Sequence, residues 1–182
     1  MFRRVSLSVN SKLLLSLVVF LLGGILSGFL ATSEYRTIPL SIKTVEVPRL
    51  KIFFLTFSQQ YWLIAALWFM GLIPLGFLAS YALLFGKGFM FGVTIGFIIK
   101  AEALFGAYSC FKLLVWQLII LLPLTLYIAY FSVLVSFFRL KVTQEKAEIN
   151  LPSYLNRLLF ASIVIVIYSI IMALSTKQII TS

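Results

Sequence analysis

The chain has 182 residues, of which 62% are hydrophobic and 11% charged, with a mean hydropathy of +1.12. A soluble domain of this length cannot bury so much apolar surface, so the solvent is lipid. Fifteen Lys and Arg against five Glu give a net charge of +10, and the basic residues are scattered between oily blocks, which suits anionic headgroups and argues against a nucleic-acid face.

In chain order, the predicted architecture is an all-α polytopic membrane bundle of about five transmembrane helices in one domain, 1–182. The first span, 13–31, follows the basic start "MFRR" and Lys12. Phe29 occupies a position where a cleavable signal needs a small residue, so this span reads as an uncleaved anchor. The polar connection 32–60 carries two prolines and mixed charge and is assigned outside the cytoplasm. Its second half, ending in Tyr61 and Trp62, reads as a surface-lying amphipathic stretch.

A second span is predicted near 61–85, with a kink at Pro74 between Gly71 and Gly76. The tripeptide Gly86-Lys87-Gly88 then reads as the turn of a tight helical hairpin. The third block is short: from Phe89 to Ile99 it rises only about 16 Å, roughly half the hydrocarbon thickness. Three readings stay open for the region 88–107. Lys100 and Glu102 snorkel at a surface while the helix continues, the segment re-enters, or the two charges lie inside the membrane.

A fourth span near 113–138 carries Pro123, a second predicted kink, and a fifth runs near 158–175. The intervening loop 139–157 holds four basic and two acidic residues. Five spans place the N-terminus and this loop on one side, with eight basic residues counting Lys87, against seven on the other. The two densest basic clusters fall together, which puts the N-terminus and the 139–157 loop in the cytoplasm.

Glycines recur every fourth residue at Gly88, Gly92 and Gly96, with a shorter copy at Gly24 and Gly28. Close backbone approach is what brings helices together in lipid, where no hydrophobic drive separates helix from solvent. Such stripes serve either helix packing within the chain or docking of a partner, including a second copy in a homo-oligomer.

The sequence offers little for catalysis. Without His or Asp it builds no His-containing metal site, no Ser-His couple and no aspartyl dyad, and Cys110, the single cysteine, forms no internal disulfide. Glu102 lacks a partner base or nucleophile. "GKG" is no phosphate loop, because Tyr81 stands where that pattern needs glycine and Gly88 where it needs Ser or Thr. The expectation is a protein that is not an enzyme and needs no cofactor.

The stretch "LWFMGLIPLGFLASYALLFGKGFMFGVTIGFIIK", Leu67 to Lys100, resembles the central segment of the stage II sporulation protein M family. There a Trp-containing helix with a Gly-Leu-x-Pro element runs into a Lys-Gly turn and a "GFTVGF"-like helix. The matching residues here are Gly71, Leu72, Pro74, Lys87, Gly88, Gly92, Thr94, Gly96 and Phe97. The likeness extends more weakly over nearly the whole chain. The external segment is shorter than is usual for the family, and "VWQLI", Val115 to Ile119, stands where the family has a "PQN"-like stretch.

The resemblance implies a multi-pass scaffold in the bacterial cell membrane that organises peptidoglycan remodelling during forespore engulfment in sporulation. Its implied partners are membrane-anchored cell-wall hydrolases: a glycan-cleaving enzyme, and an amidase and endopeptidase. The alternative is a membrane subunit of a small transporter or permease, with Lys100 and Glu102 lining a path. A structural assembly factor for another complex is a third reading.

Overall fold

A computed structural model describes residues 11–33, 48–100, 114–142 and 151–180. The chain is an all-α polytopic membrane bundle; among the described residues five helices are long and apolar enough to cross a bilayer. The helices are α1 (Ser11–Ala31), α2 (Arg49–Gly71), α3 (Gly76–Lys100), α4, helical from Leu114 through a π-helical turn at Gln117–Leu121 and on as Leu122–Val142, and α5 (Leu151–Ile180). In lipid every backbone N–H and C=O needs an internal partner, and a continuous helix supplies nearly all of them within one segment.

The second and third spans differ in register from the sequence expectation of 61–85 and 88–107. The chain reverses at 72–75 and is helical without a break through Gly86, Lys87 and Gly88. Pro74 is therefore part of an interhelical turn and not a kink within a span. Two features end α2 there. Pro74 donates no backbone hydrogen bond, and the glycines on either side admit neighbours that a side chain would displace. A Cβ on Gly71 would lie 2.9 Å from Cα of Ser132, and one on Gly76 would collide with the Met70 carbonyl. The turn is closed by Leu72 N–H to Phe69 O at 3.0 Å, Ile73 N–H to Met70 O at 3.1 Å and Gly76 N–H to Ile73 O at 2.9 Å.

Moving this turn shifts both spans toward the N-terminus. Residues 49–60, expected in the external segment, form the first half of α2, which starts after Pro48 in an extended conformation. Phe53, Phe57 and Tyr61 stack along one side of that half, with ring centroids 6.1 and 5.3 Å apart. The third helix gains Gly76 to Lys87 and reaches about 37 Å at 1.5 Å per residue, so no re-entrant segment is needed to explain it. The polar loop 139–157 also shrinks, because α4 extends to Val142 and α5 begins at Leu151. With Lys87 removed from the loop side, the basic residues stand at seven on each side.

At Pro123 the disturbance takes the form of the π-helical turn on its N-terminal side. The proline ring crowds the carbonyl four residues earlier, at Ile119, and offers it no N–H; the wider π geometry relieves that crowding.

The core draws on all five helices: Leu17 and Leu21, Ile64 and Leu67, Leu84, Leu121 and Val133, Ala161 and Ile165 are all essentially inaccessible. Leu, Phe and Ile side chains also cover the outside, among them Leu15, Leu26, Phe69, Leu78 and Ile163, because the surrounding lipid is as apolar as the core. Contacts fix the relative directions. Gly24 meets the Phe85–Phe89 stretch and Gly28 meets Phe89, so α1 and α3 run parallel. Ser80 meets Ser132 and Phe77 meets Ser136, so α3 and α4 run antiparallel.

Candidate functional site

The relocated turn places a lysine inside the membrane. Gln60 lies eleven residues before Gly71 and Lys87 eleven residues after Gly76, so both are about 16 Å from the turn, near half the hydrocarbon thickness of about 30 Å. Helices folded back on one another bring residues at equal distances from the turn to the same depth. Lys87 Nζ donates to Gln60 Oε1 at 2.9 Å, and the ammonium lies 5.7 Å from the centre of the Phe91 ring. Gln60 is buried, and Lys87 is partly buried.

A lysine at mid-depth costs about 3 kcal/mol on insertion scales, and such residues pair, line a cavity or mark a path. A neutral amide and a ring face help an ammonium but do not neutralise it. The five glutamates, Glu34, Glu46, Glu102, Glu145 and Glu148, all lie outside the described residues, so no described helix supplies a carboxylate. Reading the sequence for turns missed this lysine because Gly-Lys-Gly carries the composition of a loop. The signal that could have found it is the equal spacing of Gln60 and Lys87 from the glycine-bracketed Pro74.

The two glycine stripes face each other. A Cβ on Gly24 would collide with the Phe85 carbonyl and one on Gly28 with the Phe89 carbonyl, while Gly88 and Gly92 face the Leu21 and Ile25 carbonyls in the same way. In each glycine pair, the carbonyl three residues before one glycine meets the other, at a constant offset along the chain. Thr32 holds the third position of α1 opposite Gly96. Cα–H groups approach carbonyl oxygens at such interfaces, a weak attraction added to close packing. Of the two readings of Gly24, Gly28, Gly88, Gly92 and Gly96, helix packing or partner docking, the α1–α3 contact is of the first kind.

A polar cluster ties α2, α3, α4 and α5 together beside the turn. The Ser136 hydroxyl lies 2.9 Å from the carbonyls of both Ile73 and Pro74 and accepts from Phe77 N–H at 3.0 Å. Ser80 and Ser132 hydroxyls are 2.8 Å apart, and Ser80 also donates to the Gly76 carbonyl at 3.0 Å. The Trp68 indole N–H donates to the Tyr154 carbonyl at 3.1 Å. Arg157 lies over the Phe131 ring, 3.2 Å from its centre. The Ser136 contacts satisfy turn and helix-end N–H and C=O groups that lipid could not.

Among the described residues no three metal-ligating side chains gather. Lys100 ends α3, its side chain lying outside the described set, and Glu102 also falls outside the described residues. No family model, curated protein or solved structure matches the chain.

Proposed function

We propose that the chain is a non-enzymatic membrane scaffold that holds peptidoglycan-hydrolysing enzymes at the bacterial cell membrane during sporulation engulfment, with its N-terminus in the cytoplasm. The observation that carries this reading is where the interior polar groups go. Ser80, Ser132, Ser136, Trp68 and Tyr154 join helices to one another, and the glycine stripes close α1 against α3. Polar side chains so used make a stiff platform, which is what positioning other membrane proteins requires. The resemblance of Leu67 to Lys100 to the stage II sporulation protein M family supplies the partner class.

One observation favours the transport reading: Lys87 and Gln60 meet at mid-depth, where a polar pair commonly marks a path. Purification from native membranes in mild detergent separates the two. Recovery of wall hydrolases in stoichiometric amounts supports the scaffold, and recovery of an ATPase supports a permease subunit. Glu102→Gln combined with Cys110→Ser should leave scaffold activity intact, since a sequence without His or Asp offers neither residue the base that a reactive site needs.

A further inference from the structure

We infer that Lys87 is the basic half of an intramembrane ion pair whose acidic half, an Asp or Glu near mid-depth, belongs to a transmembrane helix of a partner protein. The inference rests on the scaffold reading and names what such a partner carries. An ammonium has three N–H donors. The interactions of Lys87 are one hydrogen bond, to Gln60 Oε1, and the face of Phe91, so its charge lacks a counter-charge among the described residues. None of the described helices holds a carboxylate, so a second copy supplies none from those helices either. Among the described helices, charge complementarity therefore points to an acidic side chain from a different chain.

The surface beside Lys87 fits a helix. Gly86 is exposed, and a Cβ added there would meet nothing within 4 Å, unlike one on Gly88 or Gly92. That glycine is not explained by packing within the chain, and in lipid an open glycine permits close approach of a neighbouring backbone. Met90 is 67% exposed one turn further along, and Thr94 is exposed beyond it. Lys87, Met90 and Thr94 follow helical spacing along one side of α3, with Gly86 beside them, while Leu83 on the same side packs against the core. A partner helix laid along this side would bring a carboxylate toward Lys87, whose ammonium has N–H donors beyond the one given to Gln60.

The test uses a defined probe. The full chain is placed in phosphatidylcholine vesicles with a Leu-rich transmembrane peptide of about 23 residues carrying one central Glu, or Gln in its place. Energy transfer between labels reports association. The wild type should bind the Glu peptide about ten-fold more tightly than the Gln peptide, the factor expected for a charge-assisted contact. Lys87→Met should abolish the difference and Lys87→Arg should keep it, with thermal melts establishing that both variants fold. Should Lys87→Met fold poorly, Lys87→Met with Gln60→Leu removes the stranded amide. Equal binding of both peptides by the wild type, or a preference that survives in Lys87→Met, overturns the ion pair. Lys87-dependent leakage of chloride from the same vesicles also overturns it, in favour of an anion path. Co-purification of hydrolases with the wild type tests the scaffold separately: hydrolases recovered equally with wild type and Lys87→Met leave the scaffold standing and remove the ion pair.

Discussion

Trp68 and Tyr154 cap each other. The indole N–H of Trp68 donates to the Tyr154 carbonyl at 3.1 Å, the Tyr154 hydroxyl donates to the Trp68 carbonyl at 2.7 Å, and the rings stack 5.0 Å apart at 16°. The Trp68 carbonyl is one of those that the end of α2 leaves without a helical partner, because Leu72 N–H turns to Phe69 and Met70 instead. One aromatic pair thus closes a helix end and joins α2 to α5.

Removing the hydroxyl strands that carbonyl. Tyr154→Phe keeps the stacked ring and should lower stability by about 1 kcal/mol, the usual scale for a hydrogen bond between membrane helices. Tyr154→Ala should cost more, since the stack is lost as well. Thermal unfolding in detergent measures both; a Phe variant as stable as the wild type would mean that another group satisfies the Trp68 carbonyl.

Gly92 should tolerate no side chain. A Cβ there would lie 2.7 Å from Phe29 N and 2.8 Å from the Ile25 carbonyl carbon, and backbone cannot move aside as a side-chain tip can. Gly92→Ala should therefore destabilise by roughly 1–3 kcal/mol, the scale of overpacking, and Gly92→Leu by more. Gly23→Ala and Gly86→Ala are the controls, since neither Cβ would meet anything within 4 Å. Similar melting temperatures for Gly92→Ala and Gly86→Ala would count against the α1–α3 contact.

Ser136 serves three backbone groups, two in the 72–75 turn and one in the first turn of α3. Ser136→Ala should cost about 1–3 kcal/mol, because buried N–H and C=O groups lose their partner. The loss should concentrate at the 72–75 turn, so hydrogen exchange of the Phe77 amide should rise more than that of amides in the middle of α4.

The position of the hairpin is open to labelling. With Cys110→Ser as background, Ile73→Cys, at a site 43% exposed in the turn, should react with a membrane-impermeant thiol reagent applied to opened vesicles. Lys87→Cys, at mid-span, should not. The reverse pattern would restore the turn to Gly86–Gly88. In intact cells, strong labelling of Gln144→Cys from outside would overturn the cytoplasmic assignment of the N-terminus and of the 139–157 loop.

The solvent, the helical class and the number of crossings were legible in composition and in the spacing of oily blocks, because a bilayer admits few backbone solutions and penalises polar residues over long windows. The glycine stripes were legible as contacts too, since glycine every fourth residue clears one side of a helix whatever it meets. Which surface they meet was not: only the packed bundle sets Gly24 and Gly28 against Gly88 and Gly92. The place of the hairpin was also a tertiary decision. Gly-Leu-Ile-Pro and Gly-Lys-Gly both read as turns, and the choice fell to whichever reversal could have its orphaned backbone groups satisfied by neighbours. At 72–75, Ser136 and Tyr154 reach across from α4 and α5 to do so. Lys87, left within α3, takes the Gln60 amide from α2 at the same depth, a partner that no local window along the chain could have named.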